Sequence, residues 1–231
     1  MTPALLAWPR QAEVHKPVPK SKIYAHAHPS RAVRERFVSE VDQIVWTHKL
    51  APETVNLPSR PGVPEIEVFQ VRLRTDDWSE TVLRTIDRAI PFPIVFEVCV
   101  GERVRSVAAY KRPTLAGGSQ WVVDAYFATP WQPVQSPRAP LPTALDLGSL
   151  YEQVLQRQIG LAARPGELLP QLVERANAIR VLQGEAGKLE VRLRQEKQFN
   201  RKVELNQQLR TVRNEIGRLL GQPNENEIET P

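Results

Sequence analysis

The chain has 231 residues, of which 41% are hydrophobic and 25% are charged, and its formal net charge is +5. It lacks any apolar run near the roughly 20 residues of a membrane-spanning helix, and its N-terminus lacks the features of a secretion signal. The single cysteine, Cys99, excludes an internal disulfide and favours a reducing cytoplasm.

The first part of the chain predicts an arm followed by a helix. Residues 1–29 are rich in proline and carry three of the four histidines, which is typical of an extended N-terminal arm or an edge segment. An α+β domain is predicted over residues 30–129. Its first element is an amphipathic helix over residues 31–48, with Ser30 as the N-cap and apolar residues at helical spacing.

Strands dominate the rest of this domain. Alternating apolar residues predict a strand over 65–74, and a helix begins with the capping-box pair Asp77 and Glu80. The nearly continuous apolar run at 93–100 predicts a buried central strand. Gly101 and Glu102 fit a hairpin turn into a returning strand, and residues 121–129 form another strand. The fold class is therefore α+β, a mixed β-sheet with packed helices in the order α-β-α-β-β-β.

Beyond this domain the composition changes. Five prolines in residues 130–149 predict a semi-rigid linker. A helical, coiled-coil region follows over residues 150–220, and residues 221–231 read as a disordered acidic tail. The basic surplus lies in the helical region, because residues 188–220 contain nine Lys/Arg and four Glu while the remainder of the chain is neutral. An acidic partner is one interpretation of this surplus, and a solvated helix is the other.

Two apolar seams run through residues 167–220 with 3-4 spacing, one from Ile179 to Leu193 and one from Leu205 to Leu219. The seams do not share a phase. Either one long helix contains a stutter, or two helices fold back as an antiparallel hairpin. Because glycine and proline are absent near residues 198–201, a continuous helix is the favoured prediction.

The sequence contains no phosphate-binding glycine loop, nucleophile elbow or paired-cysteine metal motif. Tyr24-Ala-His26-Ala-His28 offers two histidines without a third metal ligand. Acidic residues on neighbouring predicted strands, with a lysine nearby, resemble the parts of a metal-dependent nuclease; they are Glu67, Glu97, Asp124 and Lys111. A divalent metal is expected only under this alternative, and structural ion pairing is the favoured interpretation.

Several basic residues are candidates for contact with nucleic acid or with a protein partner. Some lie near aromatic residues and others lie in the basic helix; they are Lys20, Lys22, Lys49, Arg194, Lys197, Arg201 and Lys202. The alternative is that they cover a core aromatic residue with their aliphatic stems.

Three segments carry a family resemblance: VDQIVWTHKLAPETVNL (41–57), IDRAIPFPIVFEV (86–98) and KQFNRKVELN (197–206). They resemble a bacterial family known only as a domain of unknown function, and the resemblance extends over about residues 18–217. It implies an α+β domain with a basic coiled-coil C-terminus, encoded beside helicases and DNA methyltransferases in restriction-like or phage-defence clusters. It implies no catalytic residues.

These observations lead us to expect a non-catalytic adaptor that docks a helicase or a DNA methyltransferase through its coiled coil, with DNA as a further partner to test. One alternative is the metal-dependent nuclease. The other is a self-assembling structural protein that uses the coiled coil as an oligomer seam.

Overall fold

The computed structural model describes residues 5–76, 78–113 and 121–221. The chain divides into two compact units, residues 1–160 and residues 161–231. The first is an α+β unit built on a mixed sheet, and the second is helical, so the predicted fold class is confirmed. Within the described residues, no helix is long and apolar enough to cross a membrane.

The described elements follow one another along the chain with short connections. The strands are β1 Leu5–Leu6, β2 Glu13–Pro17, β3 Val41–Leu50, β4 Ile66–Leu73, β5 Ile94–Val100, β6 Arg103–Pro113, β7 Trp121–Ala128, β8 Gln132–Pro133 and β9 Arg138–Ala139. The helices are α1 Lys20–Ala27, α2 Arg31–Glu40, α3 Pro52–Val55, α4 Glu80–Ala89, α5 Leu147–Ile159, α6 Leu169–Gln195 and α7 Phe199–Leu220.

The main sheet has the strand order β2-β3-β4-β5-β6-β7, and β8 pairs with β6. Only β4 and β5 run parallel among these pairs, and α4 connects them. The predicted central strand is confirmed, since every residue of β5 except Val100 is buried. Gly101 makes the turn to β6 with φ +52°, a left-handed conformation that glycine adopts without a steric penalty.

The predicted helix over residues 31–48 is wrong beyond Glu40. Helix α2 ends there, and the chain continues directly into β3. The pairing of β3 with β4 shifts register twice, between Val41 and Gln43 and between Trp46 and His48. Because each bulge changes which face the next side chains occupy, the strand loses its simple alternation and its apolar residues imitate helical spacing. The predicted order α-β-α-β-β-β therefore lacks this strand.

The remaining predicted segments agree with the structure in part. The strand over 65–74 is confirmed as β4. The second helix begins at the N-cap Ser79, and Asp77 lies outside the described residues. The proposed arm contains β2, an edge strand of the main sheet, and α1. The proposed linker over 130–149 contains β8 and β9, whereas the two units divide at Gly160.

The sheet is covered on both faces, which we call the first and second face. On the first face, α1, α2 and α4 enclose a core that includes Phe37, Phe69, Ile86 and Phe96. Side chains alternate along a strand, so Glu97 and its neighbours at odd positions of β5 lie on the second face. Helix α5 packs there, and Gln158 donates a hydrogen bond to Ser106 Oγ at 2.7 Å.

The second unit is a helical hairpin, so the favoured continuous helix is wrong. Helix α6 ends at Gln195 and α7 begins at Phe199. The turn needs neither glycine nor proline, because the Glu196 carboxylate accepts hydrogen bonds from the backbone N–H groups of Lys197 and Gln198 at 2.8 and 2.9 Å. That carboxylate satisfies the backbone N–H of the N-cap residue of α7, Gln198, and that of the residue before it.

The two predicted seams pack against each other in this hairpin. Leu189 and Leu209 lie at the centre of the shared cluster, which also contains Ala186, Leu193, Leu205, Val212 and Ile216. An ion pair between Arg213 and Glu190, 2.9 Å long, crosses from one helix to the other. Each seam thus provides the apolar surface that covers the other. The seams are out of phase because they lie on two separate helices.

Candidate functional site

Glu97 is a buried carboxylate on the second face of the sheet, and it is fully engaged. Arg138 donates to both of its oxygens, at 2.5 and 3.0 Å, and Trp8 Nε1 donates to Oε1 at 2.7 Å. Arg138 Nη1 also donates to the Leu6 carbonyl at 2.8 Å. The carboxylate therefore fastens β9 and the N-terminal segment onto the central strand, as structural ion pairing requires.

Lys111 lies on the first face and has a buried partner, Asp87, that the sequence pattern did not predict. Its Nζ is 2.7 Å from Asp87 Oδ1 in α4, and it donates to the Phe92 carbonyl at 3.0 Å. Tyr126 donates a hydrogen bond to the other oxygen of Asp87. Burial raises the pKa of the Asp87 carboxyl, and the lysine opposes that rise. A charged residue on the apolar side of α4 was the available signal.

Glu67 is also buried on the first face, in a second polar cluster. Trp46 Nε1 donates to its Oε2 at 2.5 Å. Burial raises the pKa of Glu67 to about 8, and a hydrogen bond shared with Glu65 adds to the rise. Glu65 itself forms an ion pair with Lys49, with 2.7 Å between Lys49 Nζ and Glu65 Oε2. The raised pKa favours a protonated Glu67 carboxyl near neutral pH.

The four candidate nuclease residues are not brought together. Strands β4 and β5 pair without a register shift and place Glu97 opposite Gln70, so Glu67 and Glu97 point to opposite faces. Lys111 lies with Asp87 on the first face, away from Glu97. Asp124 is exposed on β7. Within the described residues, no group of three His, Cys, Asp or Glu side chains could hold a metal ion.

The candidate contact residues of the first unit differ in availability. Lys20 Nζ donates to the carbonyls of Phe37 and Val41 at 2.8 and 2.6 Å, where α2 ends. Lys49 pairs with Glu65, as described above. Two of the three lysines are thus committed to internal contacts, whereas Lys22 is exposed.

The candidate residues of the second unit do gather at one place. We call Arg194, Lys197, Phe199, Arg201 and Lys202 the hairpin tip, because they flank the turn between α6 and α7. All five are exposed, and Phe199 is 77% exposed. The Glu196 carboxylate lies among them, but the two backbone N–H groups that bind it lower its pKa and fix its position. The tip therefore presents one large aromatic ring among four cations.

The cations of the tip are predicted by the sequence, but the exposed ring is not. Phe199 belongs to neither seam, and the cluster that the two seams share does not contain it. An aromatic residue at the junction between two out-of-phase seams was the signal that could have revealed its exposure. Its apolar neighbour one turn along the same helix face, Val203, is itself 49% exposed.

A family model described as "Domain of unknown function (DUF4391)" matches residues 6–216. The chain belongs to this family. The DUF4391 match includes both units and the whole hairpin tip, and the acidic tail follows it. No curated protein and no solved structure matches the chain.

Proposed function

We propose that this protein is a non-catalytic accessory subunit that docks a partner protein through its hairpin tip. The observation that carries the proposal is the exposure of Phe199 among four cations. A large aromatic side chain that is left in water is the typical anchor of a protein interface, because its burial against a partner contributes much of the binding energy.

The packing of the hairpin determines which surface is available. The two seams cover each other around Leu189 and Leu209, so a partner helix does not need to complete either of them. Because neither seam is left open, we place the docking surface at the tip and not along a seam. The same packing removes the reason to expect self-assembly through the seams.

The charge of the tip defines the chemistry of the partner. Arg194, Lys197 and Lys202 form no ion pair within the described residues, and Arg201 lies 3.8 Å from Glu196. A complementary surface would have an apolar pocket for Phe199 with acidic residues around it. The family resemblance supports a helicase or a DNA methyltransferase as the partner, in a DNA-processing or phage-defence complex.

The test is a tagged pull-down from cells of the source organism, read by mass spectrometry with and without nuclease treatment. We expect the wild-type protein to recover a helicase or a methyltransferase in both conditions. Phe199→Ala should lose that partner. Val181→Ala, which removes a 70% exposed apolar residue from the middle of α6, is the matched control and should retain it.

Three outcomes decide against this proposal. Recovery of the protein alone would remove the docking function. Equal recovery by Phe199→Ala and Val181→Ala would place the contact elsewhere. Loss of the partner after nuclease treatment would mean that DNA bridges the two proteins. Nothing favours the nuclease as a second function, since its four residues do not converge.

A further inference from the structure

Two arginines and two tryptophans form a ladder at the start of β6. The Arg105 guanidinium carbon lies 5.0 Å from the ring centroid of Trp78 and 4.6 Å from that of Trp131. Arg103, two residues earlier, lies 5.4 Å from the Trp131 centroid. Arginine stacks well on indole, because its planar cation is attracted to the negative face of the ring. The two tryptophans therefore restrict the position of the Arg105 guanidinium.

Arg105 has no anionic partner within the described residues, and its buried Nε has no hydrogen-bond acceptor there. Burial lowers the pKa of Arg105. Charged groups that are withdrawn from water normally have a counter-ion, because desolvation is costly. Buried carboxylates within the described residues illustrate that rule, since Glu97 pairs with Arg138, Asp87 with Lys111 and Glu167 with Arg175.

The ladder is open to an external anion. Arg105 is only partly buried, so an anion in solution can reach it. Arg103 pairs with Asp76 at 2.5 Å, but Asp76 is 68% exposed. A surface pair of this kind contributes little stability and is readily exchanged for another anion. The two guanidinium groups beside Trp131 can therefore contact a single anion.

We propose that Arg105, held between Trp78 and Trp131, binds a phosphate group, with Arg103 as the second cation. The fork of N–H donors on arginine matches the oxygens of a phosphate group, which a free phosphate ion and a phosphodiester share, and a second cation strengthens the attraction to either anion. Each indole already carries at least one guanidinium group, so stacking of a base is not part of the recognition. The site lies in the first unit and is independent of docking by the hairpin tip.

The experiment is isothermal titration calorimetry of the full chain at low salt, with two probes: inorganic phosphate and a short single-stranded DNA oligonucleotide. We expect saturable binding with one site per chain for at least one probe. Arg105→Gln should weaken it by at least about tenfold, the value of a hydrogen-bonded charge contact. Arg88→Gln removes an equal charge from the exposed end of α4 and should leave binding unchanged.

Trp131→Leu tests the role of the ladder itself, because it keeps both arginines and removes the ring between them. It should also weaken binding several-fold, since the guanidinium is no longer held in place. Near-ultraviolet circular dichroism checks that each variant is folded. If Arg105→Gln does not fold, Arg105→Lys keeps the charge without the planar fork and should show a smaller loss.

The two probes distinguish the sources of the phosphate group. With the Arg105 dependence, binding of both probes assigns a site for phosphate in general, binding of inorganic phosphate alone assigns it to a free phosphate ion, and binding of the oligonucleotide alone assigns it to a nucleic-acid backbone. The proposal is overturned if the wild-type protein binds neither probe. It is also overturned if Arg105→Gln and Arg88→Gln bind equally well.

Discussion

Lys111 and Asp87 form an ion pair of 2.7 Å between Nζ and Oδ1, with side chains only 8% and 1% exposed. This pair joins β6 to α4 inside the core. Replacing Lys111 with methionine would leave the carboxylate buried without its cation. We expect a loss of about 3–5 kcal/mol in the free energy of unfolding, measured by urea denaturation, because an uncompensated buried charge is strongly destabilising.

The matched control keeps the hydrogen bond of Tyr126 but removes the charge. In the double variant Lys111→Met with Asp87→Asn, the amide oxygen still accepts from Tyr126 while no charge remains unpaired. We expect this variant to recover part of the loss. If Lys111→Met costs no more than a surface substitution, the pair does not support the core and Lys111 becomes available for another role.

Glu67 gives the protein a pH-dependent stability. Its pKa is about 8 in the folded chain, raised by burial from the usual 4.5. Between these two values the folded state holds a proton that the unfolded state has released, so stability is greatest below the lower value and falls as pH rises toward 8. Glu67→Gln keeps an acceptor for Trp46 and removes this titration.

Urea denaturation at about pH 5 and about pH 8 measures this effect. The wild-type protein should lose on the order of 1–3 kcal/mol more than Glu67→Gln between the two conditions. Glu35→Gln, which changes an exposed glutamate of α2, should follow the wild type. Equal pH dependence in all three proteins would mean that Glu67 is ionised in the folded state.

Elements fixed by neighbouring residues could be predicted from the sequence, whereas elements fixed by contacts between distant residues could not. Strand β5 and its turn at Gly101 were predictable, because a continuous apolar run and a glycine are local signals. Strand β3 was not, since its bulges depend on the pairing partner. The break at Glu196 was missed for a related reason: a side chain satisfies the open N–H groups where glycine or proline was expected.

Candidate-site residues show the same limit. The sequence indicated that Glu97 in a buried strand must be paired or functional, and Arg138 proved to be its partner across 41 positions. The ladder of Trp78, Arg105 and Trp131 joins a loop, a strand and a second loop, so no spacing along the chain reveals it. Tertiary pairing of this kind requires the register of the sheet.

Leu209 tests the packing of the hairpin. It is 5% exposed at the centre of the shared seam. Leu209→Ala should lower the opening free energy of α6 and α7 by about 2–3 kcal/mol, the lower part of the usual range because its neighbours are only partly buried. Hydrogen exchange read by mass spectrometry measures that opening. Val203→Ala, at 49% exposure on the same helix, should change protection little, and equal effects would contradict the packed hairpin.

Cys99 should be an unreactive thiol in the folded protein. It is buried on the second face, where burial and the nearby Glu97 carboxylate raise the pKa of the thiol to about 11. At about pH 8 the thiolate fraction is then roughly a thousandth, and only the thiolate attacks a disulfide reagent. Ellman's reagent should therefore react at least about 100-fold more slowly with the folded chain than with the urea-unfolded chain.

Since Cys99 is the only cysteine, the reaction reports this position alone. Rapid reaction of the folded protein would mean that β5 opens to solvent, and this would contradict its place as the buried central strand.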